Sequence, residues 1–515
     1  MTDKSTVTAK SKAIGKSKVL VIGAGVGGLA TAARLAAKGR SVTVLEQADH
    51  FGGKLASYRR AGFVFDTGPS LFTLPAVYRD LFLKTGGPLE EAIDLQPLDP
   101  AFRYQFGDGA TVVLPGVGAG QCADALADGL GGKAAQEWRN LIKRGGAMWQ
   151  VTREPFLQSP LAGWRNIMAL ARNPGDVHTV APFTTLRALG EKTFSDKRLV
   201  TLLDRYATYT GSDPRKAPAV LATVPYIEQT FGAWHIGGGI SSLADALVQR
   251  CRDLGVELLT STDVTSINTA GNQVTGVQTR GGETFKADIV VANADAGQVY
   301  GSLINSNSVQ EALKNIRKST PSLAGFVLLL AVKGRTKGLQ HHNVWFTENY
   351  DAEFDAIFGR KTAPVSDPTI YVCSPSDPLM RPDADHESWF VLVNAPRHGD
   401  GTNGTMNWDE PGLAEQYAGH VLGVLARRGM DIRPNICWRE IRTPADLERD
   451  VRAPGGAIYG TSSNGARAAF ARPANESPVG GLYLVGGSSH PGGGLPLVGM
   501  SAEIVAKLIS ASGSY

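Results

Sequence analysis

The sequence is short of paired cysteines, of surplus charge and of long apolar runs. Its four cysteines, Cys122, Cys251, Cys373 and Cys437, stand far apart with no CxxC pair. That spacing predicts neither a zinc site nor a disulfide framework, hence buried free thiols and no bound metal. Lysine and arginine (52) nearly balance aspartate and glutamate (48), for a net charge of +4. So even a balance does not suit a protein that neutralises many phosphates, and no nucleic-acid partner is expected. The longest apolar stretches, such as residues 323–332, fall well below the roughly 20 residues that cross a bilayer. Lys4, Lys10, Lys12, Lys16 and Lys18 open the chain with no apolar region behind them. Residues 1–17 therefore read as a disordered tail rather than a signal peptide, and the chain as cytoplasmic.

What is present is a large globular composition, 43% apolar and 19% charged over 515 residues, enough for two closely packed domains. Many of the 61 glycines fall into three clusters. The first lies in KVLVIGAGVGGLATAARLAAKGRSVTVLE, residues 18–46, which reads as buried strand, glycine turn, alanine-rich helix closed by Gly39, and second strand. Gly23-x-Gly25-x-x-Gly28, with Ala24 and Gly27 in the same loop, sits at the strand-to-helix junction. There Gly23 makes the turn, Gly25 lets backbone approach a diphosphate, and Gly28 lets the helix pack on the sheet. The start of the helix directs free N–H groups and a partial positive charge at the phosphates. Glu46 ends the second strand at roughly the 20-residue spacing of a carboxylate that holds ribose hydroxyls.

Beyond Glu46 come Gly52-Gly53-Lys54 and Phe65-Asp66-Thr67-Gly68-Pro69-Ser70; later come Gly237-Gly238-Gly239, Val264, Asn293-Ala294-Asp295 and the block Gly486-Gly487-Ser488-Ser489-His490-Pro491-Gly492-Gly493-Gly494-Leu495-Pro496. In this order the elements resemble the phytoene desaturase branch of the FAD-dependent amine oxidase superfamily, over nearly the whole chain. The resemblance implies FAD as cofactor. It also implies contacts from Gly53, Lys54, Gly68, Pro69, from the backbone of Val264, and from Gly487, Gly494, Leu495, Pro496, Leu497 and Val498. The fold it implies is α/β: a Rossmann-type FAD-binding domain from residues 18–114, 235–299 and 440–515, interleaved with a mixed α+β substrate domain from residues 115–234 and 300–439. A helical, membrane-facing element belongs to the second domain.

The expected activity is a carotenoid desaturase: hydride transfer from an acyclic C40 polyene to flavin, followed by loss of the neighbouring proton. The stretch DRYATYTGSDPRKAP resembles a family segment beside the substrate tunnel and offers Asp204, Arg205 and Tyr206, with Tyr209, as catalytic residues. His490 reads as a satisfied loop histidine. The substrate dissolves in lipid, so peripheral membrane association is expected. Residues 149–172 interleave Trp149, Phe156, Leu157, Trp164, Ile167, Met168 and Leu170 with Arg153, Arg165 and Arg172, as an interfacial helix would. Three alternatives stay open: a 1-hydroxycarotenoid 3,4-desaturase or terminal-methyl oxygenase of the same family, an amine oxidase, and a non-redox isoprenoid carrier. The amine oxidase would call for a covalent-flavin cysteine near the glycine block, which Cys437 precedes by a wide margin.

Overall fold

The structure, a computed structural model, describes residues 17–161, 173–402, 404–465 and 472–512. The expected tail, Ser17 apart, lies outside the described residues, and so does the second half of the stretch 149–172.

Lys18–Ile22 (β1) is buried at every position after Lys18, as befits a strand covered on both faces. It is the middle strand of a five-stranded parallel sheet, ordered Leu482–Leu484, Ile289–Ala292, β1, Ser41–Leu45 (β2) and Glu257–Leu259. Val26–Ala37 (α1) follows β1, and its small residues let the closing helix Leu495–Ser512 lie alongside. Leu29, Ala33, Val505, Ala506 and Ile509 share one core. The closing helix, with a mean hydropathy of 1.4, is long and apolar enough to cross a membrane, and half of it is buried in this core.

A second sheet of seven strands runs Ile436–Arg442, Ala324–Lys333, His386–Ala395, Ile370–Cys373, His342–Trp345, Phe102–Gln105 and Thr111–Leu114. The last two strands were expected with the nucleotide-binding segments; instead Phe102–Gln105 pairs with His342–Trp345. One face of the sheet is covered by the helix Leu413–Arg427. On the other, Val327, Leu329, Cys373 and Phe390 meet Phe63 and Phe65 of the strand Phe63–Asp66, so the second sheet is directed at the segment leading into Thr67-Gly68-Pro69-Ser70.

Between the sheets' segments come helices that include Lys197–Thr208 (α2) and Thr223–Phe231 (α3). Trp149, expected at an interface, lies in the helix Ala134–Thr152 and is buried against Leu74 and Met500. Helical spacing alone does not say which apolar face is turned inward.

Candidate functional site

The glycine turn after β1 is tighter than a ligand alone requires. A Cβ on Gly28 would stand 2.2 Å from Gly23 O, and one on Gly25 or Gly27 would stand 2.8 Å from the side chain of Asn293. Asn293 follows the strand Ile289–Ala292 and donates from Nδ2 to Val485 O at 3.0 Å. A Cβ on Gly486 would also strike it, at 2.5 Å. One amide thus pins the first glycine cluster to the last. The Asn293-Ala294-Asp295 element carries the residue in the sequence, but not its role, which comes from these distant partners.

The start of α1 is buried, yet Gly25 gives it no side-chain cap and its first turn holds no acid. A buried helix start without a side-chain cap leaves N–H groups able to receive an anionic ligand. Glu46 is buried beside it, with Oε2 accepting the Ala24 N–H at 2.7 Å and Oε1 the Ala48 N–H at 2.9 Å. Gly53 stands against Gly25, a Cβ there meeting Gly25 Cα at 3.3 Å, and a Cβ on Gly27 would meet Val498 Cγ1 of the closing helix at 3.2 Å. Gly68 can be nothing larger, because a Cβ would sit 1.8 Å from Lys54 O. Asp66 accepts the Ile240 and Ser241 N–H groups, which fastens the FDTGPS element to the Gly237–239 turn. Val264 is buried at the start of its strand, next to Asp263, which Arg452 and Arg280 hold. Leu495 O accepts from Tyr78 OH at 2.7 Å.

Two cations, Arg472 buried and Lys54 half-buried, lie beside this cradle. Lys54 Nζ donates to Ile458 O at 2.7 Å; burial pushes its pKa down, and Asp295 opposes the shift. Arg472, which sequence reasoning missed, donates to the carbonyls of Tyr459, Gly487 and Thr461, and burial pushes it down to about 10. Burial also raises Asp295, with Lys54 opposing. An uncapped helix start with two neighbouring cations and a ribose-binding acid fits a flavin dinucleotide. His490 Nε2 donates to Ser159 O, 3.0 Å away, and burial lowers its pKa to about 4, so it is the satisfied loop histidine that was expected.

The stretch offered for catalysis splits between two sides of α2. Asp204 turns to Arg187, Nε to Oδ2 2.6 Å, and Arg187 also holds Asp351. Arg205 turns the other way, its guanidinium 5.0–5.7 Å from the ring centroids of Tyr104, Tyr209 and Tyr371. Arg205 Nη1 donates to Tyr209 OH at 2.6 Å; Tyr209 OH and Tyr206 OH donate to Glu228 Oε2 and Oε1 at 3.2 and 2.6 Å. Glu228 is buried on α3 and was not foreseen. Burial raises its pKa, opposed by the tyrosine hydrogen bonds and the Arg205 charge. Tyr371 OH also meets Ser70 Oγ at 2.7 Å and His342 Nδ1 at 2.8 Å, so the cluster joins the FDTGPS element. His342 Nε2 is buried with no partner among the described residues, a cost of about 1–3 kcal/mol.

Asp204 makes a pH prediction. Burial raises its carboxyl to about 7 against the opposing Arg187 charge, and Oδ1 finds no partner among the described residues. The folded chain therefore holds a proton that the unfolded chain releases near 3.8. This contribution to stability is complete below the unfolded value and is lost as pH rises through about 7. Asp204→Asn should lose less stability than the parent between pH 5 and 8, by roughly 3 kcal/mol. Parallel denaturation profiles would mean that Asp204 is ionised in the folded chain.

Comparison with known proteins adds breadth to this geometry. Residues 26–392 match the family model described as flavin containing amine oxidoreductase. The chain is 33% identical to a 1-hydroxycarotenoid 3,4-desaturase of Flavobacterium sp. (strain P99-3), covering 96% of this chain and 99% of that one. It is 31% identical to a 4,4'-diapolycopene oxygenase of Methylomonas sp, covering 95% and 97%. An oxidoreductase structure from Methanosarcina mazei shares the fold at 15% identity, with a TM-score of 0.62 over 95% of this chain and 100% of that one.

Proposed function

Because this chain belongs to the flavin-containing amine oxidoreductase family and is an FAD-dependent oxidoreductase, we propose that it desaturates an acyclic carotenoid. A non-redox carrier is thereby set aside. The observation that carries the substrate reading is the full-length similarity to enzymes whose names specify carotenoids. The apolar packing around the segment leading into Thr67-Gly68-Pro69-Ser70, Phe63 and Phe65 against the sheet face of Val327, Leu329 and Phe390, agrees with it, since a polyene suits apolar surroundings and a polar amine does not.

Gly23, Ala24, Gly25, Gly27, Gly28, Glu46, Gly53, Lys54, Gly68, Pro69, Val264, Gly487, Gly494 and residues 495–498 hold FAD, with Arg472 and Asn293 beneath them. FAD, when bound, supplies the acceptor for the two electrons taken from the substrate. The apolar face keeps water from the reacting carbons. Glu228, through Tyr209, collects the proton that leaves the polyene; burial raises the pKa of Tyr209's hydroxyl, and Arg205, which donates to it, opposes that rise and balances the Glu228 charge. Tyr206 fixes the carboxylate's other oxygen, and Asp204 anchors α2 from behind through Arg187.

The protein docks on membrane as a peripheral enzyme. Phe183, 90% exposed near the stretch 149–172, supports this. The test is anaerobic incubation of the flavin-loaded protein with acyclic polyenes in liposomes and a quinone acceptor, followed by pigment analysis and sedimentation. A longer chromophore formed without oxygen, by protein that pellets with the vesicles, is the expected result. Product that forms only when oxygen is admitted and that carries oxygen would transfer the reading to the terminal-methyl oxygenase, which the similarity to the Methylomonas protein favours.

A further inference from the structure

Apart from the flavin cradle, three ligating side chains meet on the sheet face above Phe63–Asp66. His342 and Cys373 are register partners on neighbouring antiparallel strands, so their side chains leave the same face side by side. His341 brings its ring to 4.6 Å from that of His342, centroid to centroid. One ligating atom from each of His341, His342 and Cys373 lies within 4.8 Å of the other two. His342 adds an independent sign. Its Nδ1 is held by Tyr371 OH at 2.8 Å, while its Nε2, in a side chain with no exposed surface, has no partner among the described residues. A ring oriented through one nitrogen, with the other left as a bare donor, is how proteins present an imidazole to a metal.

We propose that His341, His342 and Cys373 bind a single first-row transition-metal ion of the zinc or copper class. Two imidazoles and a thiolate select such borderline-soft ions, whereas magnesium and calcium require oxygen ligands. The neighbouring carboxylates are committed elsewhere: Asp66 to the Ile240 and Ser241 N–H groups, and Asp377 to His235 Nε2 at 2.9 Å and the Gly238 N–H. Three protein ligands leave a fourth position for water or for an oxygen of a bound molecule. On binding, the Cys373 thiol releases its proton to solvent and the thiolate takes the ion. The absence of any CxxC pair hid this site, because only strand register brings Cys373 to His342.

The test uses flavin-loaded protein prepared without a histidine tag or chelator. Elemental analysis should find about one zinc or copper per chain, and whichever ion copurifies identifies the class. After dialysis against chelator, cobalt(II) should restore occupancy and give a thiolate-to-cobalt absorption band in difference spectra. Cys373→Ser should lose the band and bind zinc at least about 100-fold more weakly, with flavin content unchanged as the sign of a folded chain. Cys437→Ser, which removes an exposed thiol, should keep both. If Cys373→Ser does not fold, His341→Ala, at the less buried ligand, takes its place. Parent protein that holds no zinc, copper or cobalt after their addition would overturn the proposal. So would a band that survives Cys373→Ser, a zinc affinity unchanged in His341→Ala, or a band that disappears in Cys437→Ser.

Discussion

Gly28→Ala is expected to yield protein without flavin. Alanine is the better helix former by about 1 kcal/mol, and Gly28 lies within α1, so propensity alone predicts a stabilised variant. Packing reverses the sign. The new methyl would stand 2.2 Å from Gly23 O and 3.2 Å from Asn293 Cβ, and the carbonyl it meets belongs to the turn that carries the diphosphate. Either α1 moves off the sheet or the turn opens. The first costs about 1–3 kcal/mol in strain, and the second removes the aligned N–H groups. Flavin absorbance of the purified variant should fall to background, and its melting temperature should drop. Gly39→Ala is the contrast: its φ of +82° is unfavourable to a side chain, but nothing lies within 4 Å. It should cost about 1 kcal/mol and keep its flavin. If Gly28→Ala holds stoichiometric flavin and melts like its parent, the cradle assigned to residues 23–28 is wrong.

The two substitutions also mark what could be read before the structure. The βαβ unit was legible because each of its signals is local: an apolar run, a glycine turn, a helical period closed by Gly39, and an acid at the end of β2. Arg472 and Glu228 were not, and Asn293 was visible only as part of a family element without its role, because each takes its meaning from partners distant in the chain, such as Val485, 192 residues from Asn293, and Tyr206, 22 residues from Glu228. Strand partners were equally hidden. Phe102–Gln105 alternates like many strands, and only the free edge of His342–Trp345 decides which sheet it joins. The stretch DRYATYTG was singled out whole, whereas successive helical residues point about 100° apart. Arg205 and Tyr209, which caps the end of α2, are four apart and bond each other, and Asp204 is carried round to Arg187.

Glu228→Gln is where the second large effect is expected: a fall in kcat of about 10²–10⁴-fold with flavin retained. Glutamine still offers an oxygen to Tyr206 but holds no proton from the substrate. A purely structural Glu228 would also matter, since its loss leaves the Arg205 charge, linked to it through Tyr209, less balanced. Two readouts separate the roles. A proton acceptor lowers kcat and leaves KM nearly unchanged, whereas a distorted tunnel raises KM. The acceptor must also be ionised, so the parent's kcat should decline on the acid side, at a pH above the usual carboxylate range because burial raises Glu228. That limb should vanish from the residual activity of Glu228→Gln and also from that of Tyr209→Phe, which keeps the carboxylate but removes the hydroxyl through which the proton reaches it. An acid limb that survives in Glu228→Gln would give the proton to another group, and the polar cluster on α2 and α3 would then be scaffolding for the tunnel wall.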